Sequence, residues 1–463
     1  MKLIPAALAS GRALLARHVL VSGVNFAATI ILAWLLTPSQ YGIFALTLPP
    51  VTAAVLLLDL GLSAALVRET DARMARTARA IFWFEAAAGA VFAVAIQFLA
   101  PLWRRAYGLE PGLENVLRLH AFALLALPFR NVAVAHLERA MAFRRVAGLE
   151  VAEALSAQAI VLGLAFAGAG PYALAAGPVV RAVIGAVVAP VLAGFSPGAP
   201  RLDWSAVRGR LSFGIPFQAN AFVNFGRDAA LPLVVGAVAG EAAVGYVNWA
   251  TSVANYPGLL LLNVSRLFYP LFVRARRARA SMRPAVETAI AVSVWGVGAL
   301  CVPLLGLADP LVRLIFAERW FPAIPLFYFL VPINVFLALL VPATAYLNSA
   351  GLPHVRLAYA LAGGVVLWAG ALGTVRKWGM LGYVASNVAM NLVESAMLRE
   401  VARRLGGLAL PWRSLAAAAA CALLLLAGVR AAGVEGWAAV IGWGIVGAGA
   451  YLLAAGFPRD LRG

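Results

Sequence analysis

The stretch VNFGRDAALPLVV, residues 223–235, sets a cation beside an anion inside an apolar run. From Leu211 to Ala239, Arg227 and Asp228 are the only charged side chains. Either the pair neutralises itself for structural reasons, or the cation faces something that needs it. Adjacent residues on a helix point about 100° apart, so these two do not naturally face each other, which favours separate partners. Asn220, Asn224 and Arg227 recur at i, i+4 and i+7, which places them on one helix face. Arg130, Arg181 and Arg266 also fall inside apolar segments. An arginine at the centre of a membrane span costs about 2.5–3.5 kcal/mol on insertion scales, so all four should face a bundle interior or a wet cavity. The structural alternative is neutralisation: Arg227 by Asp228, Arg266 by Asp59 or a neighbour, Arg130 by Glu85 or Glu153. Asp59 and Asp228 are the deepest carboxylates, and either can hold H+ or Na+. Glu85, Glu150, Glu153, Glu287 and Glu394 lie within a few turns of segment ends, where salt bridges to loop arginines account for them. Asn248, Asn255 and Asn263 extend the polar surface, to hydrogen-bond a ligand or to join helices.

The elements that must position these residues are set by composition. Of 463 residues, 63% are hydrophobic and 12% charged, with a mean hydropathy of +0.89. A soluble domain carries about 25% charged residues. Apolar segments of twenty or so residues recur from end to end without strand-like alternation, which predicts an all-α polytopic membrane protein and not a barrel. The net charge is +18, almost all from arginine, Lys2 and Lys377 being the only lysines. The arginines punctuate the helices and form no single patch, so the membrane accounts for them better than nucleic acid does. Cys301 and Cys421 give no disulfide framework, and the four histidines show no metal spacing. No Walker A motif is present, so ATP hydrolysis is not expected.

The hydropathy pattern predicts about fourteen spans of the length a bilayer requires. They run from 18–36 to 436–457 and include 212–238 and 243–272 as the seventh and eighth. With the N-terminus in the cytoplasm, the cytoplasmic segments hold 25 basic residues, among them RETDARMARTAR (68–79), ERAMAFRR (138–145) and RARRARASMR (274–283), and the outer segments hold eight. This bias predicts that both termini are cytoplasmic. Trp34, Tyr246 and Trp249 are expected in an aromatic belt near outer helix ends. Pro216, Pro232, Pro257, Pro270, Pro332 and Pro342 are expected to kink their spans.

A weak internal repeat runs through the chain. Gly42, in TPSQYGIFALTL, and Gly245, in GEAAVGYVNWAT, each follow the outer end of a span, 203 residues apart. ALPFRN (126–131) and LVPIN (330–334) match at nearly the same offset. Two six-helix bundles, 1–204 and 205–405, and two additional helices in 406–463 are expected. An even number of spans per half makes the repeats parallel, as in transporters that rock one half against the other around a central site.

The stretch LAWLLTPSQYGIFALTLPPVTAAVLLLDLGLSAALVRE (32–69) resembles the first helical hairpin of bacterial polysaccharide (O-antigen type) flippases. These belong to the superfamily that also holds multidrug exporters and lipid II flippases. Leu36, Pro38, Tyr41 and Gly42 carry the likeness, followed by Asp59 to Leu62 and Arg68. Asp228, Pro257 and FYP (268–270) echo it in the second half. Arg227 departs from the pattern, which has a polar residue before Asp228. The resemblance implies two six-helix bundles around a central hydrophilic cavity. It also implies transfer of a polyprenyl-pyrophosphate-linked oligosaccharide from the cytoplasmic to the outer leaflet of the bacterial inner membrane, for polysaccharide biosynthesis.

On that reading Arg227, Arg181, Arg266 and Arg130 form a cationic lining, because a guanidinium stays charged and binds phosphate oxygens bidentately. Asn220 and Asn224 continue the lining. The expected partners are the lipid-linked glycan, membrane lipids, H+ or Na+ and the glycan assembly machinery, with no cofactor and no catalytic or metal-ligating residue. The competing readings are a drug or metabolite cation antiporter, which needs an acidic cavity, a membrane enzyme of glycan assembly, which needs carboxylates or histidine at an outer face, and a non-transporting scaffold.

Overall fold

The computed structural model describes residues 3–265, 267–278 and 281–456, and every regular element among them is helical. The chain divides into two compact units, Met1–Gly245 and Tyr246–Gly463. The first holds α1 (Leu3–Leu35), α2 (Pro38–Leu46), α3 (Leu48–Asp59), α4 (Leu62–Val67), α5 (Asp71–Ala106), α6 (Glu114–Ala121), α7 (Ala123–Arg139), α8 (Phe143–Phe166), α9 (Pro171–Ala193) and α10 (Trp204–Asp228). A π-helical turn, Leu231–Val235, leads into α11 (Gly236–Ala254), which carries the chain into the second unit. There follow α12 (Tyr256–Ser265), α13 (Phe268–Arg277), α14 (Met282–Gly306), α15 (Ala308–Ile315), α16 (Ile324–Ser349), α17 (Pro353–Ser395), α18 (Met397–Leu405), α19 (Trp412–Ala432) and α20 (Trp437–Ala455).

Among the described residues, eleven helical stretches are long and apolar enough to cross a membrane. Two of them, Trp204–Ala254 and Pro353–Leu405, are 51 and 53 residues long. Each is broken by one non-helical glycine, Gly240 (φ 80°) or Gly379 (φ 55°). Fourteen crossings are reached only by counting both arms of each broken stretch, and the shorter apolar helix Leu20–Leu35, as separate spans. The helices run through Pro216, Pro332 and Pro342, and these breaks fall at glycines.

In the first unit, sequence and packing meet at helix ends. Thr37 caps α2 with a reciprocal box: its hydroxyl accepts from the Gln40 N–H, and Gln40 Oε1 accepts from the Thr37 N–H at 2.9 Å. Between α3 and α4 the backbone turns through left-handed Leu60 (φ 45°) and Gly61 (φ 76°). One core, near the loops 68–71 and 194–203, gathers Leu62, Leu66, Ile81, Phe82, Val132 and Val207. Another, at the opposite end, gathers Val51, Ala93, Ile96, Leu117 and Leu124. The repeat expectation starts its second half at 205, yet α10 packs on α3, α4 and α5 within the first unit.

In the second unit α14 is central, packed by α16, α19 and α20. The Tyr451 hydroxyl donates to the Val294 carbonyl at 3.1 Å, with its ring seated on Gly298. Asn334 Nδ2 donates to the Ala254 carbonyl at 2.8 Å, and its Oδ1 accepts from the Gly258 N–H at 3.0 Å. Trp249 does not join an aromatic belt. It is 0% exposed, enclosed by Phe316, Trp320 and Phe327, because three aromatic partners from later elements converge on it.

Candidate functional site

The polar stripe of residues 220–228 lies on one continuous helix, so its i, i+4, i+7 spacing translates into a shared face of α10. Asn224 and Asp228 are exposed, and Asn220 and Arg227 are half-buried. After Asp228 the α-helical ladder loses one rung. Pro232 has no N–H to donate to the Asp228 carbonyl, and the chain widens into the π-helical turn Leu231–Val235. Single π turns of this kind concentrate at functional sites.

Arg181 sits in the middle of α9 and is exposed. Roughly 15–18 Å of helix separates it from either end of α9. Among the described residues it has no hydrogen-bond or ion-pair partner. Arg130 differs. Its guanidinium grips Glu153 with two bonds, Nε to Oε1 at 2.6 Å and Nη2 to Oε2 at 3.0 Å. A Cβ on Gly185 would lie 2.6 Å from Glu153 Oε1 and 2.8 Å from Arg130 Cδ, so the bare α9 backbone at that point makes the seat for the pair. Arg181 stands one turn away on the same face of α9. Arg266 and the Asn263 side chain lie outside the described residues.

The carboxylates divide by role. Asp59 accepts from the N–H groups of Gly61 at 3.2 Å and Ser63 at 3.0 Å, and so caps α4 across the left-handed break. Glu150 pairs with Arg17 at 2.7 Å and Glu287 with Arg283 at 2.9 Å, as expected of residues near segment ends. Glu85 does not bridge to a loop arginine. It is wholly buried, and its described partner is Asn131, whose Nδ2 donates to Oε2 at 3.1 Å. The loop arginines are engaged elsewhere, as Arg210 is with Glu69 and Arg76 with Asp203.

Two close contacts fix α10 and α11 within the first unit. At the basic end, Arg210 Nε donates to Glu69 Oε2 at 2.9 Å, a second Arg210 nitrogen reaches the same oxygen, and the Thr77 hydroxyl donates to it at 3.2 Å. Burial pushes the Glu69 carboxyl up, but the bonds from Arg210 and from the Thr70 N–H hold it below the usual range. Beside it Arg76 pairs with Asp203 at 2.6 Å. The Ser205 hydroxyl, Arg76 and the Ala206 N–H bring Asp203 down to about 2. At the other end Gly42 of α2 meets Gly245 of α11. A Cβ on Gly42 would overlap the Glu241 carbonyl and lie 3.1 Å from the Gly245 nitrogen; one on Gly245 would overlap the Pro38 carbonyl and lie 3.0 Å from the Gly42 nitrogen. The Ser39 hydroxyl donates to Glu241 Oε1 at 3.0 Å alongside. The two glycines paired in the expected repeat thus pack against each other.

The architecture is similar to that of "Lipid II flippase MurJ, inward closed conformation", with a TM-score of 0.77, 11% identity, and coverage of 98% of this chain and 99% of that one. It is also similar to an inward-facing multidrug resistance MATE family transporter of the MOP superfamily, with a TM-score of 0.63, 16% identity, and coverage of 86% and 98%. In sequence the chain is 27% identical over 309 residues to the succinoglycan biosynthesis transport protein ExoT of Rhizobium meliloti (strain 1021), covering 65% of this chain and 61% of that protein. It is 22% identical over 319 residues to the lipopolysaccharide biosynthesis protein WzxC of Escherichia coli (strain K12), covering 66% and 62%. The chain thus spans a little over three-fifths of the length of these relatives. The family described as "Polysaccharide biosynthesis protein" matches residues 31–325, a stretch that contains every candidate site residue from Asp59 to Arg266. This multi-pass membrane chain belongs to the polysaccharide biosynthesis protein family.

Proposed function

We propose that the protein is a flippase and not an enzyme, carrying a polyprenyl-pyrophosphate-linked oligosaccharide from the cytoplasmic to the outer leaflet of a bacterial inner membrane by alternating access. Arg181 is the observation that carries this reading. A guanidinium in mid-span, exposed and without a described partner, is retained against a cost of about 2.5–3.5 kcal/mol. A diphosphate, which must leave water to cross, supplies what that charge lacks. Arg227, Asn220 and Asn224 on α10 serve the same anion and its first sugars, and the π turn beside them lets the stripe shift without unwinding α10. Arg130, held by Glu153, positions the wall from which Arg181 projects. The arginine-rich loops face the cytoplasm with both termini, and the glycan assembly machinery delivers the substrate there. The names of ExoT and WzxC, which place them in succinoglycan and lipopolysaccharide biosynthesis, support the substrate class.

The test is lipid analysis in a host depleted of the protein and complemented with variants. Depletion should build up polyprenyl-pyrophosphate oligosaccharide on the cytoplasmic leaflet. Arg181→Ala and Arg227→Ala should each lower export at least about tenfold at unchanged protein level, which is about 1.4 kcal/mol of lost interaction. Arg181→Lys should restore part of it, lacking the fork. An unchanged lipid pool with altered sensitivity to cationic drugs would replace the flippase with a cation antiporter, and make Asp59 and Asp228 its central residues.

A further inference from the structure

The first unit contains a carboxyl group that no cation answers. Glu85 on α5 is 0% exposed. One oxygen accepts from the neutral Asn131 amide, and the other, Oε1, is buried with no hydrogen-bond partner. The elements packed on α5 bring few charges to this level. From α3 comes Asp59, whose charge acts on Glu85 through space while its own oxygens cap α4. α4 carries no charged residue. On α7, Arg130 is taken by Glu153, and His136 bonds the Val132 carbonyl. On α10, Arg210 is bound to Glu69 and Thr77, about 12 Å of helix from Glu85. The charged residues of α6 meet α5 near Gln97, about 18 Å along in the other direction. An ionised carboxylate kept from water with a single neutral donor is strongly disfavoured, and binding a proton removes that cost.

We propose that Glu85 is a proton-binding site, loaded while α10 lies packed on α3, α4 and α5 and emptied when that packing opens. The link runs through the break after Asp59. There the backbone turns at Leu60 and Gly61, and Gly61 touches Gly214 of α10 so closely that a Cβ on either would overlap the other's chain. α10 thus abuts the break that carries Asp59, and it packs on α5, the helix that holds Glu85. On opening, the Oε1–H bond breaks, its electron pair stays on the carboxylate, and the proton passes to water. On closing, the reverse occurs. The proposal rests on the transport reading above and gives it a coupling ion.

The test uses the full chain in proteoliposomes, with Glu85→Gln as the variant, since Gln keeps the size of the protonated side chain and its bond to Asn131. Infrared difference spectra across a pH jump should show a protonated-carboxyl stretch in the wild type that Glu85→Gln lacks, at an unchanged melting temperature. Calorimetry of farnesyl diphosphate in buffers of different ionisation enthalpy should show about one proton exchanged per ligand by the wild type and none by Glu85→Gln. A wild type with no such band, or a variant that keeps the band or the proton exchange, overturns the proposal. A wild type that has the band but binds no farnesyl diphosphate overturns the coupling by removing the transport reading beneath it, a failure distinct from that of the proton site.

Discussion

At the two ends of the first unit the same pair of elements, α10 and α11, is held by opposite means. Away from the basic loops, α11 meets α2 backbone to backbone at Gly245 and Gly42, with one side-chain bond, Ser39 to Glu241, beside them. At the basic end, α10 is held by long side chains: Arg210 on Glu69 and Thr77, and Arg76 on Asp203. A contact between bare backbones has one working geometry, and neither pH nor salt tunes it. A contact made of guanidinium forks and carboxylates bends, re-forms with a neighbour and responds to both. In the alternating-access reading proposed above, each end must part in turn. The glycine end then acts as a fixed-distance stop, and the ionic end as an adjustable tie.

The largest effect should come from adding atoms at the stop. Gly42→Val and Gly245→Val place a side chain against main-chain carbonyls, which cannot step aside as a flexible side-chain end can. Overpacking of this kind costs about 1–3 kcal/mol, and more where nothing yields. Export should be abolished, and the melting temperature should fall or a cysteine probe near Ser39 should become permanently accessible. Gly163→Ala on α8, where a Cβ meets nothing within 4 Å, should be neutral or slightly stabilising. Normal export by Gly42→Val would break the contrast at its stronger end.

The second effect should be smaller and graded. Arg210→Ala removes the fork from Glu69, at a cost of about 1–2 kcal/mol for hydrogen bonds to a charged group near the surface. Arg210→Lys should recover part of this, because an ammonium cannot make both bonds in the same plane. Thermal melting and protease sensitivity at the start of α10 report the order wild type, Lys, Ala. A reversed order would mean that packing of the arginine stem, and not its charge, holds this end.

What the sequence reveals here follows the same division. Apolar length and arginine punctuation are periodic signals, and they mark the spanning helices. The spacing of Asn220, Asn224 and Arg227 keeps its meaning because α10 is unbroken across it. The spacing of Gly42 and Gly245 suggests a repeat, and only the packing of α2 on α11 shows that they meet. Three-dimensional choices among several plausible partners stay hidden. Arg130 has two carboxylates within reach in principle, and only the packing of α7, α8 and α9 around Gly185 selects Glu153. Glu85 reads as one more acidic residue near a span end, and its isolation arises because nearby cations are claimed by Glu69, Asp203 and Glu153. Trp249 has the composition of a belt residue, and its burial depends on Phe316, Trp320 and Phe327, some seventy residues later. Arg181 is legible in the sequence as a lone cation in an apolar run, whereas its exposure on α9 and its lack of a described partner are set by packing.

The smallest effect discriminates the two ends by solvent alone. Glu69 and Asp203 are both held below the ordinary carboxylate range, Asp203 at about 2. Groups with depressed folded-state values stabilise fully above their unfolded values and lose that contribution as pH falls through the folded ones. The basic end should therefore be unchanged from pH 8 to about pH 5 and loosen progressively below about pH 4, with Arg76–Asp203 the last pair to release. At neutral pH, raising salt to about 1 M shortens the screening length to about 3 Å, which should weaken the exposed Arg76–Asp203 pair more than the sheltered Arg210–Glu69 pair. Hydrogen exchange at the first turns of α10 and at α2 reads both conditions. Faster exchange at α10 in acid, with α2 unmoved, is what an adjustable tie opposite a fixed stop requires. Equal acceleration at both ends would mean that α10 and α11 move as one rod, and that the difference in chemistry between the ends does not divide their motions.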